Sequence, residues 1–213
     1  MEVRLTGLRN VLCLGAHADD LEIGCGGTLL RLLAENPALE VHWVVLSAPD
    51  ERAGEARRSA GALLEEAGLV DLRMGDFDES YFPYEGAAVK DYVAALGREL
   101  TPDLVLTHWR GDLHQDHRLV SELTWNTFRS HLILEYEIPK WDGDMGRPNV
   151  YVPLGHALCE RKVAHLLSAF PSQANKDWFA SEVFWGLLRL RGMEARSPSG
   201  YAEAFHCRKL VLG

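Results

Sequence analysis

Residues 11–22 read Val11-Leu12-Cys13-Leu14-Gly15-Ala16-His17-Ala18-Asp19-Asp20-Leu21-Glu22, an apolar run that ends at glycine and gives way to imidazole and carboxylates. Residues 11–15 have the length and composition of a strand buried on both faces, as strands of parallel sheets are. Working outward, leucines at helical spacing over 28–35 complete a strand–loop–helix unit. Residues 41–46 (VHWVVL) predict a second strand, and 51–68 a helix rich in Ala, Arg, Glu and Leu that stops at Gly68. A short strand at 72–74 leads into an acidic, aromatic loop through Tyr84. Residues 89–100 read as a helix broken at Thr101-Pro102, and 104–107 (LVLT) as another buried strand. Strands alternating with helices predict an α/β fold with an open, mostly parallel sheet. Downstream come a helix over 119–128, a strand over 133–138 (ILEYEI) and a polar loop over 139–148. A short extended piece at 151–153, helices over 157–170 and 181–190, and an extended tail over 205–212 follow.

The chain has 213 residues, which at about 150 per domain favours one domain, residues 1–213, with no linker or repeat to divide it. Asp and Glu outnumber Lys and Arg by 31 to 22, a net charge of −9, so no positive field draws in nucleic acid or an anionic membrane surface. No apolar stretch approaches the roughly 18 residues of a bilayer span, and residues 1–7 lack the apolar core of a secretory signal. The four cysteines, Cys13, Cys25, Cys159 and Cys207, form no CxxC pair, which predicts a reduced, cytoplasmic protein.

Open α/β sheets bind ligands beyond the carboxyl ends of their strands. Two predicted strands end in dense polar clusters: His17, Asp19, Asp20 and Glu22 after the first, and His108, Asp112, His114, Asp116 and His117 after 104–107. Imidazole and carboxylate together suit a borderline metal such as zinc, which catalytic sites hold with three protein ligands and one open position. A single HxxD is usually an ordinary polar loop. Two such clusters at two strand ends point to chemistry.

The segments AHADDLEIGCGGTL (16–29) and GDLHQDH (111–117) resemble the paired motifs of the PIG-L/LmbE-like de-N-acetylases, usually written AHPDDE and HxDH. Further likeness lies in Arg57-Arg58, TPDLVLTHWRGD (101–112), FPSQ (170–173) and YAEAF (201–205). The resemblance implies a Rossmann-like sheet with helices on both faces. It also implies a zinc-dependent hydrolase, with another divalent ion such as Fe2+ open, that removes N-acetyl groups from N-acetylglucosamine-type amino sugars or their conjugates. By the same resemblance His17, Asp20 and His117 hold the metal and Asp19 is the general base. His114 stabilises the oxyanion, and Asp116 orients and charges that imidazole. Consecutive Asp19 and Asp20 on an irregular loop would diverge, with the nearby glycines permitting tight turns beside the ion.

Four positions depart from the family pattern. Ala18 replaces a common proline, and Leu21 separates Asp20 from the next acid, Glu22. Ser59 stands where a glutamate is usual. Asp112 takes the place of a tyrosine found in some members, which frees it to read a sugar hydroxyl. Further candidates for substrate contact are Arg57, Asp78 (or Asp76) and Arg110. The aromatic, charged segment 136–144 is a candidate lid, and His108 a candidate support behind the ligands. His42, His131, His156 and His165 read as structural or surface groups. Cleavage of an amide in a thiol–sugar conjugate stays open beside deacetylation, as does a non-catalytic nucleotide- or metal-binding module. GCGGT is not GxGxxG, however, and two aspartates would repel a pyrophosphate there. The expected partner is a small N-acetylated sugar or glycoconjugate, whether free, nucleotide-linked, lipid-linked or a precursor. A homo-oligomer remains open.

Overall fold

The apolar run that opens the chain becomes strand β1 (Asn10–His17), and both of its faces are covered. In the computed structural model, which describes residues 4–49 and 51–211, the chain continues through α1 (Asp20–Glu35), β2 (Glu40–Ser47), α2 (Glu51–Leu63), β3 (Leu69–Met74) and α3 (Gly86–Glu99). It goes on through β4 (Leu104–His108), α4 (Gln115–Thr127), β5 (Leu132–Tyr136), β6 (Val150–Pro153), α5 (His156–Ala169), α6 (Ser181–Glu194) and β7 (Ala202–His206).

The strands form one seven-stranded sheet in the order β3-β2-β1-β4-β5-β7-β6. The first five are parallel, as the alternating pattern predicts, while β7 runs antiparallel to both β5 and β6. Side chains alternate across the strands and split the core in two. Val11, Cys13, Val41, Trp43, Leu104 and Leu106 pack with α1, α2, α5 and α6. Leu12, Leu14, Val44, Leu46 and Val105 pack with α3 and α4 on the other face. The chain winds one way from β1 to β3 and the other way from β4, so the strand order reverses between β1 and β4. That reversal opens the crevice where sheets of this kind bind ligands.

One local expectation is corrected. The first helix begins at Asp20, not near residue 28, so Gly24, Gly26 and Gly27 lie inside it and make no turns beside an ion. Close packing needs them instead. A Cβ on Gly24 would sit 2.2 Å from the ring of buried Tyr136, and one on Gly27 2.5 Å from Leu154. Against the same turn lies a buried ion pair between α5 and β7. Lys162 Nζ donates to Glu203 Oε1 and to Ile23 O, both at 2.5 Å, while Glu203 accepts the backbone N–H groups of Gly27 (2.8 Å) and Thr28 (2.7 Å). The boundaries of two other elements are shorter than expected. The second helix stops at Leu63, and the last strand is Ala202–His206, with residue 212 of the expected tail outside the described residues.

Candidate metal and catalytic centre

The ends of β1 and β4 bring both polar clusters into one buried pocket. His17 closes β1, and His114 caps the start of α4, so His117 sits in that helix's first turn. His17 Nδ1 lies 3.2 Å from His117 Nε2 and 3.5 Å from Asp20 Oδ2, and Asp20 Oδ1 lies 3.5 Å from His117 Nε2. Four-coordinate zinc with ligands at 2.0–2.1 Å has ligand–ligand edges of about 3.4 Å. The histidine–histidine edge is close to that length, and Asp20 reaches each histidine at a similar distance through a different oxygen, Oδ2 to His17 and Oδ1 to His117.

The far nitrogens of both histidines support the same set. His17 Nε2 is 3.0 Å from Asp116 Oδ2, and His117 Nδ1 is 3.0 Å from Asp112 Oδ2. A carboxylate on the outer nitrogen fixes the ring and turns the inner lone pair toward a metal. The charges agree as well. Burial opposes a proton on His17, but its hydrogen bonds to Asp116 and Asp20 prevail and carry its pKa up to about 10, so the pocket already favours a buried positive charge. Burial and the neighbouring His108 hold His117 neutral, with its pKa down at about 3. Asp20 stays ionised: its burial is outweighed by His117 and His108, and its pKa lies well below the carboxylate range.

Two triplets among the described residues, His17–His114–His117 and Asp20–His108–His117, bring one donor atom from each residue within 4.8 Å of one another, and His117 belongs to both. His108 is the weaker ligand. It is fully buried, stacked 3.9 Å from the His117 ring, and its Nε2 lone pair already accepts Ala16 N–H at 2.9 Å.

Asp19 caps the N-terminus of α1 beside these groups. Its Oδ1 pairs with Arg52 Nη2 at 3.0 Å, while Oδ2 is buried without a partner. Arg52 is held in turn by Glu79 at 2.7 Å. Burial raises the Asp19 pKa to about 7, against the pull of Arg52 and with help from the charge on Asp20. His114 Nδ1 accepts the Asp116 backbone N–H at 3.3 Å, which places the ring proton on Nε2. Burial and the His17 charge lower the His114 pKa, so this ring is a neutral N–H donor.

Several expected contacts need correction. The Asp116 carboxylate acts on His114 through its charge, which favours a proton there but is outweighed by burial and His17, and its hydrogen bonds go elsewhere. It accepts from His17 and from the backbone N–H groups of Ser80 (2.6 Å) and Phe82 (3.2 Å). Asp112 is not free to read a sugar, because His117, Lys140 (2.9 Å) and the His114 backbone N–H occupy it. Arg57 and Asp78 are exposed and outside the pocket; Arg52 and Glu79 stand there instead. Arg110 is also exposed, and its backbone N–H is bonded to Glu135. A signal for Arg52 was present in the sequence. It lies just past the end of β2, whereas Arg57 is carried about 7.5 Å further along the helix at 1.5 Å per residue. Lys140, which bridges Asp112 and Asp144, had no such signal.

Residues 12–128 match the family model of PIG-L, GlcNAc-PI de-N-acetylase. The chain belongs to this family. The PIG-L span contains both motifs together with Arg52 and Glu79, and stops short of Lys140 and the last three strands. Similar solved structures include a conserved protein from Thermus thermophilus, 24% identical with a TM-score of 0.76 over 97% of both chains. Another is N,N'-diacetylchitobiose deacetylase from Pyrococcus horikoshii, 22% identical with a TM-score of 0.72 over 94% of this chain and 84% of that one. A third is 4-carboxy-2-hydroxymuconate hydratase from Pseudomonas putida, 18% identical with a TM-score of 0.73 over 97% and 98% of the two chains. At these identities the likeness is one of fold. No curated protein sequence matches significantly.

Proposed function

We propose that this protein hydrolyses the N-acetyl group of an N-acetylglucosamine-type amino sugar, or of its conjugate, with a divalent metal, zinc or Fe2+, held by His17, Asp20 and His117. One observation carries the reading: the buried Oδ2 of Asp19 has no hydrogen-bond partner, on a residue two positions after His17 and directly before Asp20. A site built only to store metal, or to bind a nucleotide, has no use for that oxygen. In such a site the ion supplies Lewis acidity to the acetamide carbonyl and to the attacking water. Asp19 Oδ2 takes the proton from that water and returns it to the leaving nitrogen, a double task suited to a carboxyl with a pKa near 7. Water's oxygen bonds to the acetyl carbon as the C–N bond breaks, giving acetate and the free amine. His114 Nε2–H donates to the carbonyl oxygen as it gains negative charge. Asp116 and Asp112 hold the two ligand histidines in orientation. The four cysteines are all free, which supports action in a reducing compartment such as the cytoplasm. Among the described residues no helix is long and apolar enough to cross a membrane.

Metal analysis combined with acetate release from N-acetylglucosamine and its conjugates tests this reading. The protein is expected to carry about one divalent ion per chain, and His117→Ala to lose most of both metal and turnover. Full occupancy in that variant would remove His117 from the ligand set. Absence of acetate from every sugar offered to the zinc-loaded protein would end the deacetylase reading.

A further inference from the structure

Between the β3–α3 loop and the start of α4 lies an open cleft of about 340 Å3 lined by Ser80, Tyr81, Tyr84 and Gln115. We infer that it is a subsite for a second, neutral sugar ring attached to the reacting one, an inference that rests on the deacetylase reading. Three observations converge on it.

The cleft is fixed to the catalytic centre. Ser80 N–H and Phe82 N–H both end on the Asp116 carboxylate, which also holds His17, and Gln115 Nε2 donates to Ser80 O. Phe82 is fully buried with its ring 5.8 Å from that of His17, and so anchors the turn in the core. The turn that lines the cleft is therefore linked through one carboxylate to His17, and Gln115 directly follows His114 in the chain.

The turn is built to present aromatic faces outward. Tyr81 and Tyr84 flank buried Phe82 in sequence, yet they are 59% and 82% exposed, with ring centroids 6.0 Å apart. Ser80 adopts φ 70°, in the left-handed region that non-glycine residues occupy at a cost and retain mainly where function demands it. That kink directly precedes Tyr81.

The lining chemistry selects the ligand. Two aromatic faces match the C–H face of a pyranose, and the Ser80 hydroxyl, two phenols and the Gln115 amide oxygen match its hydroxyls. No charged side chain lines the cleft, so a phosphate or carboxylate finds no partner there. An alkyl chain would strip water from those polar groups and return no hydrogen bond.

The test compares kcat/KM for acetate release by the zinc-loaded protein from N-acetylglucosamine, from N,N'-diacetylchitobiose and from an octyl N-acetylglucosaminide. The disaccharide is expected to exceed the monosaccharide at least tenfold, and Tyr81→Ala/Tyr84→Ala to bring that ratio close to one. Tyr81→Phe/Tyr84→Phe should keep part of the preference, because the faces remain. Equal values for mono- and disaccharide, or a ratio that the alanine pair does not move, would overturn the subsite and leave the deacetylase reading standing. So would an octyl glycoside that matches the disaccharide and loses its advantage in the same variant. Acetate from none of the three would bring down both.

Discussion

At Asp19 a single carboxyl group divides its two oxygens between two tasks. Oδ1 is tied to Arg52, and Oδ2 is buried without a hydrogen-bond partner. Asp19→Asn is nearly isosteric but cannot take a proton at neutral pH. We expect it to keep its metal and to lose turnover by about a hundred- to ten-thousand-fold, the usual worth of a general base. Metal analysis and acetate release on one preparation read both halves; near-normal turnover would move the base elsewhere. Asp116 gives a second residue-scale test. Because its carboxylate holds His17, Asp116→Asn should weaken metal binding by about ten- to a hundred-fold in competition with a chelator, as loss of a ligand's outer partner does. Unchanged affinity with lost turnover would return Asp116 to His114. His17, Asp19, Asp20, His114, Asp116 and His117 were legible as candidates because they lie at or beyond the ends of two buried strands. Their partners were not. Asp116 adjoins His117 in the chain yet engages His17 and the turn at 80–82, a choice made by how loops far apart in sequence approach each other.

Helix α1 shows what element-scale reading finds and misses. Its glycines suggested a loop, because Gly is a poor helix former in isolation. Burial against Tyr136 and Leu154 overrides that preference. Gly24→Ala gains a little in helix propensity but forces a methyl into the Tyr136 ring, so it should destabilise the protein by about 1–3 kcal/mol, read from a lower urea midpoint. The same helix buries Glu22, whose carboxylate accepts from Ser59 Oγ, itself 2.8 Å from His165 Nε2. Burial raises the Glu22 pKa to about 8, against the Ser59 hydrogen bond. The folded state thus holds a proton that the unfolded chain releases in the ordinary carboxylate range. Stability linked to this group is intact below that range and falls as pH rises to about 8. Urea titrations of metal-free protein should therefore show Glu22→Gln gaining on the wild type from about pH 5 to pH 8. A difference that stays flat would mean Glu22 is already ionised in the fold.

Across the whole molecule, alternating strands and helices were readable through β5 because each βαβ step is local and right-handed. The placement of β7 between β5 and β6 was not readable. It depends on antiparallel pairing between segments far apart in the chain, and the short pieces at 150–153 and 202–206 carry no sign of their neighbours. Lys162 and Glu203 tie this late strand to α1. Removing one partner of a buried ion pair leaves the other uncompensated, so Lys162→Met should cost about 3–5 kcal/mol, measurable by thermal or urea unfolding. A loss below 1 kcal/mol would show that the pair is solvated in practice.

That tie also sets an order in time. Synthesis proceeds from the N-terminus at about 5–20 residues per second, so every proposed ligand has been made seconds before Glu203 exists. Until then the Gly27 and Thr28 amides lack the carboxylate they meet in the finished fold, and Lys162 lacks its counter-charge. The middle of the helix that carries Asp20 therefore lacks this buried carboxylate until the last strand is made. On the proposed reading, metal capture would wait for the arrival of the seventh strand. A chain stopped at residue 200 should retain little zinc even though it contains every proposed ligand.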